Sequence, residues 1–250
     1  MAELLKGARR KVARAREHIL ALQTNTVSFF GGNPYQLIVE PDPNNSKYEI
    51  YKLRFDEGLP HSLENSTSDA LHNLRDSLDN AGYALAVAGG KINPAYAAFP
   101  FAGSAAQFEN SLGRSKDIPT EFHDIFRSCG PYKGGNDVLW ALGQLAVTDK
   151  HKLLMISLNS QLGNVIGEGA IRRIPVNPSW DSTKKEIELF TGAVGHPLKI
   201  DMEFGLFTFF ADVPLLATEP ALKVLDYFVE IVEHIFSTIE AEAQRLGFVT

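Results

Sequence analysis

The chain holds a single cysteine, Cys129, among 250 residues, so no disulfide can form within it. That count fits a reducing, cytoplasmic setting. Cys129 sits in Ser128-Cys129-Gly130-Pro131, the pattern of a helix stop, and reads as structural. No apolar run approaches the roughly 20 residues of a membrane span, so no membrane association is expected. The first residues lack the apolar core and small-residue cleavage site of a secretory signal. The glycines from Gly163 to Gly169 lack the Lys-Ser/Thr of a phosphate loop, and no Gly-x-Ser-x-Gly elbow occurs. Internal repeats and low-complexity linkers are missing too. Tryptophan is scarce, and Trp140 and Trp180 read as packing residues.

What is present is a core-forming composition: 44% hydrophobic and 22% charged residues exclude general disorder. The net charge of -6 argues against a surface coated for nucleic acid. It hides an asymmetry, however. Residues 1–16 carry Lys6, Arg9, Arg10, Lys11, Arg14 and Arg16 against Glu3 alone. A basic arm on an acidic body can hold phosphate, with Arg10 and Arg14 as binding candidates, or the acidic surface of a second copy.

Hydrophobic spacing predicts a helix over 3–23, with Leu4, Leu5, Ala8, Val12, Ala15, Ile19 and Leu22 as its stripe. Two strands, 35–40 and 47–55, follow around the turn-forming run Pro41 to Ser46 and predict an antiparallel hairpin. A second helix runs from about Leu63 or Ser68 to Val87, closed by Gly89-Gly90. Shorter helices are predicted over 104–113 and 119–128. Asn136 reads as the N-cap of another, which ends near Asp149-Lys150-His151-Lys152. Leu153 to Leu158, Val165 to Ile174, Glu186 to Phe190 and Met202 to Ala211 are β-rich. Pro220 opens a last long helix whose wide apolar surface predicts burial on two sides. The expected architecture is one α+β domain over 1–250. Its helical parts lie at about 3–23, 63–150 and 219–246, a β-rich insertion at about 151–212, and a helical bundle packs on an antiparallel sheet.

The second helix carries the most chemistry. Leu71, Leu74, Leu78, Ala81 and Leu85 form its buried stripe, while His72, Arg75, Asp76, Asp79 and Tyr83 share another face. A base, a fixed cation and two carboxylates on one rigid surface can perform acid–base work. Arg75 and Asp79 also stand at i, i+4, the spacing of an exposed ion pair worth about 0.3–0.5 kcal/mol, and a solvated face explains the same residues.

His72-Asn73-Leu74-Arg75-Asp76-Ser77-Leu78-Asp79-Asn80 resembles the His-Asn-Leu-Arg-Ser-Ala-Leu-Asp-His helix of a set of uncharacterised bacterial proteins. That helix is in turn similar to the signature of the HEPN superfamily, an Arg followed by a polar residue and then a His on a bundle helix. The resemblance covers about a dozen residues. It implies a homodimer with an RNA-directed or defence role and, where active, a ribonuclease that uses neither metal nor cofactor. By that resemblance Arg75 polarises the scissile phosphate and Asp76 takes the polar position after it. Asn80 stands where the family has His. Asn neither takes nor gives a proton near neutral pH, so this copy is either inactive or served by another His, such as His72.

Two other readings stay open. Asp149 and His151 either complement a helix C-terminus or join His72 and Asp79 in one pocket, as a small-molecule enzyme or a divalent-metal site. Alternatively, the chain is a non-enzymatic interaction and assembly module. The terminal helices then serve binding, and the polar face of the second helix is structural.

Overall fold

The stripe at the start of the chain is buried as its spacing requires: Leu5, Ala8, Val12, Ala15, Ile19 and Leu22 all lie in the interior. They belong to α1 (Lys6–Gly31) or, for Leu5, to the turn before it. A computed structural model describes residues 4–147, 154–159, 165–166, 171–173, 180–181, 183–195, 199–200, 205–210, 213–216 and 219–248. The fold is α+β, with helices and antiparallel strands. It divides into two compact units: Met1–Leu22, Asn65–Leu153 and Leu222–Thr250 form one, Gln23–Glu64 and Leu154–Ala221 the other. The β-rich stretch therefore shares a unit with the early hairpin.

The first unit is helical. It takes the N-terminal part of α1, most of α2 (His61–Ala88), α3 (Ala105–Arg114), α4 (His123–Cys129), α5 (Asp137–Leu145) and α6 (Ala221–Arg245). Leu71, Leu74, Leu78, Ala81 and Leu85 of α2 are wholly buried, so the predicted stripe is the core face. From α6, Phe228, Val232, Ile235, Phe236 and Ile239 are buried as well. Arg9 ties α1 to α6, with Nη2 donating to Glu240 at 2.7 Å and Nη1 to Glu233 at 3.5 Å. Its guanidinium also lies 5.9 Å from the Phe236 ring centre. Asn136 caps α5 as expected, its Oδ1 accepting from the Leu139 N–H at 3.0 Å.

The second unit is built on a sheet of order β1-β2-β7-β5, with β6 also paired to β7. Here β1 is Tyr35–Pro41, β2 Tyr48–Phe55, β5 Ile171–Arg173, β6 Trp180–Asp181 and β7 Glu186–Ala193. All these pairings are antiparallel. Strands β3 (Leu154–Asn159) and β9 (Gly205–Phe210) pair separately, as do β4 (Val165–Ile166) and β8 (Lys199–Ile200). The predicted hairpin is present, and Asx turns close it: Asp42 Oδ1 accepts from Asn44 N and Asn45 Oδ1 from Lys47 N. One face of the sheet holds Tyr51, Leu53 and Phe55, in a core with Ile187, Leu189 and Phe190, against which Phe29, Phe30, Tyr35, Leu59 and Trp180 pack. On the alternate residues of β2, Lys52 bridges Glu40 and Glu186 at 2.7 and 3.1 Å, and Arg54 bonds the same two carboxylates. Glu186 is buried, and those two cations are its ion-pair partners.

Three boundaries differ from expectation. Helix α1 continues to Gly31 rather than stopping near residue 23, because Phe29 and Phe30 dock on the sheet core. Helix α2 starts at His61, directly after Pro60, whose fixed backbone angle suits a helix entrance. Helix α5 ends at Leu145. Asp149 and His151 lie outside the described residues.

Candidate functional site

The polar face of α2 divides into two flanks with different neighbours. On one flank, Arg75 points its Nη1 at the carbonyl oxygen of Gly143, 2.6 Å away. Gly143 lies in the last turn of α5, where carbonyls have no helical donor and the helix dipole is negative. A guanidinium placed there caps the helix. The same guanidinium lies 5.2 Å from the centre of the Phe101 ring, a cation–π contact. Gly143 leaves room for that ring, since a Cβ there would stand 2.6 Å from Phe101 Cδ1. The i, i+4 ion pair with Asp79 is replaced by this arrangement.

Asp79 lies one turn further on. Its Oδ1 accepts from the backbone N–H of Phe99 at 2.8 Å. Burial pushes its carboxyl above the usual carboxylate range, against the opposing pull of the Phe99 N–H and the Arg75 charge. One turn beyond, Gly82 meets the same loop, where a Cβ would sit 2.1 Å from Ala97 O. Arg75, Asp79 and Gly82 thus hold the loop through Ala97, Phe99 and Phe101 against α2.

The other flank faces α1. Lys11 Nζ donates to Asp76 Oδ2 at 3.0 Å. Asn80 Nδ2 donates back to the Asp76 carbonyl at 2.8 Å, and its Oδ1 is the neighbour that a Cβ on Gly7 would meet at 3.6 Å. His72 is exposed. Its Nδ1 is 2.8 Å from the Ser68 carbonyl oxygen, which can only accept, so Nδ1–H donates there, and the Ser68 hydroxyl lies 3.2 Å from the same nitrogen. Of the basic arm, Arg14 pairs with Glu17 on its own helix, Arg16 with Glu233, and Arg10 is exposed.

The structure therefore brings Arg75 and Asp79 to one loop and Asp76 and Asn80 to one helix, and leaves His72 and Arg10 at the surface. Sequence reasoning missed Gly143, Phe101, Phe99 and Ala97. Gly82 in the middle of a helix was the available signal, since such a glycine marks close backbone approach.

Clefts among the described residues of the helical unit include the following. One of about 400 Å³ is lined by Cys129 and Leu139 opposite Tyr227, Glu230, Ile231 and His234 of α6. Burial raises the Cys129 thiol to about 11, so it is a protonated, unreactive thiol near neutral pH. The second, of about 350 Å³, is lined by Phe101, Gln107, Asn110, Ser111 and Arg114. Among the described residues no three His, Cys, Asp or Glu side chains form a group that could hold a metal ion, and no helix is long and apolar enough to cross a membrane. No protein-family model, curated protein or solved structure matches the chain.

Proposed function

We propose that the chain is a non-enzymatic interaction and assembly module, in which the polar face of α2 is structural. One observation carries this reading: the Arg75 guanidinium, the group that would hold a phosphate, is engaged by Gly143 O and the Phe101 ring. The surroundings agree with it. Asp79 is bonded to a backbone amide, Asp76 to Lys11, and much of the basic arm to carboxylates of the same chain.

A second reading is the RNA-directed, HEPN-like role. It draws support from His72, an exposed imidazole on the same helix as Arg75. RNA cleavage in EDTA separates the two, with Arg75→Ala, Asn80→His and His72→Ala beside the natural chain. The module reading expects no cleavage by any of the four. Cleavage by the natural chain that is lost in Arg75→Ala and His72→Ala would sink it in favour of a metal-independent ribonuclease.

A further inference from the structure

Strand β1 is the outermost strand of its sheet: among the described residues it pairs with β2 and with no other strand. Leu37 stands opposite Leu53, and Val39 opposite Tyr51. Both β2 residues are core residues, so Leu37 and Val39 lie on the core face. Each is nonetheless 46% exposed. The apolar face of the sheet therefore runs on past its last strand. Natural edges are usually blunted by lysine, by a bulge or by proline within the strand. Tyr35–Pro41 has no lysine and pairs with β2 in continuous register, and its one proline is its last residue.

The hydrogen bonding tells which groups this edge offers. Asp42 N donates to Tyr48 O at 3.0 Å, and Asp56 N donates to Pro34 O at 3.1 Å. Even-numbered residues of β1 thus turn their N–H and C=O toward β2. In an antiparallel ladder the alternate residues turn theirs outward, which here are Tyr35, Leu37, Val39 and Pro41.

We infer that β1 is a self-pairing edge: a second copy of this chain adds its own β1, antiparallel, about a two-fold axis at Ile38. This inference rests on the assembly reading and supplies its partner. Only full overlap of the strand with itself uses all its residues, and that register sets Leu37 opposite the second copy's Val39. Both residues present outward N–H and C=O, so they exchange both bonds, and Tyr35 donates to the Pro41 carbonyl at each end. Proline's missing N–H removes only the outermost bond. The exposed apolar pair is then covered by its own counterpart, as an isologous interface requires. Charge agrees with the register. Glu40, the strand's one charged residue, faces the second copy's Gln36, so no like charges meet, and Lys52 and Arg54 already hold its carboxylate at 2.7 Å each.

This register has a covalent test. Ile38 faces itself as a non-hydrogen-bonded pair, with Cα atoms about 4.5 Å apart, inside the range of about 4.4–6.8 Å that a disulfide spans. The two Gln36 residues lie on the same sheet face but about 14 Å apart, four residues along the strand at roughly 3.4 Å each. The full chain in a Cys129→Ser background, carrying either Ile38→Cys or Gln36→Cys, is oxidised mildly and run on a non-reducing gel. Sedimentation of the natural chain and of Leu37→Lys over a concentration series runs beside it. The expected result is a dimer that cross-links at 38 and not at 36, and is weakened about tenfold or more by Leu37→Lys. A natural chain that stays monomeric overturns the inference. A dimer that fails to cross-link at 38, or cross-links equally at 36, overturns this edge and leaves the assembly reading standing. RNA cleavage, measured separately, bears on that reading alone.

Discussion

Arg75 and Gly143 stand 68 residues apart in sequence and are joined by a 2.6 Å hydrogen bond from guanidinium to carbonyl. The bond closes the end of α5 with a side chain from α2. Removing the side chain leaves a helix-terminal carbonyl without its donor and Phe101 without its cation. Arg75→Ala is expected to lower stability by about 2 kcal/mol. Arg75→Lys keeps the charge but not the planar fork, so it should recover roughly half of that. Urea unfolding of the three proteins measures both. A loss below the noise for Arg75→Ala would refute the capping role.

Asp79 gives a pH dependence of unusual sign. Burial raises its folded carboxyl above the unfolded value, so the folded chain binds this proton more readily. The stability this group contributes is present at low pH and is lost as pH rises from the ordinary carboxylate value through the raised folded value. Asn at 79 keeps an oxygen for the Phe99 N–H and has no charge to desolvate. Relative to the natural chain, Asp79→Asn should gain stability as pH rises across that window. Asp79→Ala strands the Phe99 N–H and should cost about 1–3 kcal/mol at low pH, and less as pH rises through the same window. Denaturant titrations at several pH values check this, and a pH-independent Asp79→Asn difference would contradict the assignment.

Gly82 tests the loop contact. Alanine in place of glycine inside a helix ordinarily stabilises by roughly 0.5–1 kcal/mol. At Gly82 the new Cβ meets the Ala97 carbonyl at 2.1 Å, a backbone atom, whereas at Gly7 it meets Asn80 Oδ1 at 3.6 Å. Gly82→Ala should therefore destabilise, by about 1–3 kcal/mol, while Gly7→Ala should be neutral or slightly stabilising. Thermal melts of the two variants decide it, and equal effects would mean that the loop does not press on α2.

Local patterns made much of the fold legible. The stripe Leu71, Leu74, Leu78, Ala81, Leu85 is periodic, so it reports its own burial. The Pro41 to Ser46 turn and the Asn136 cap announce themselves by residue type. The end of α1 was hidden because Thr24, Thr26 and Val27 are weak helix formers, and the Phe29 and Phe30 contacts that extend the helix come from distant strands. The polar face of α2 was legible as a cluster but not as a partition. His72, Arg75, Asp76 and Asp79 share an arc of the helix. Which of them meets Gly143 or Phe99, and which meets Lys11, is decided by segments far away in sequence.

The bond from Arg9 to Glu240 spans 231 residues, and it has a consequence for synthesis. Helix α1 leaves the ribosome early, while α6 follows only after the intervening chain is made. At about 5–20 residues per second the delay is roughly 10–50 s. Throughout it, the stripe from Ala8 to Leu22 waits without the helix to which Arg9 ties it. The Arg9–Glu240 bond is thus a late contact of synthesis, formed only once α6 has been made, whereas the Lys11–Asp76 bond between α1 and α2 needs only the first third of the chain.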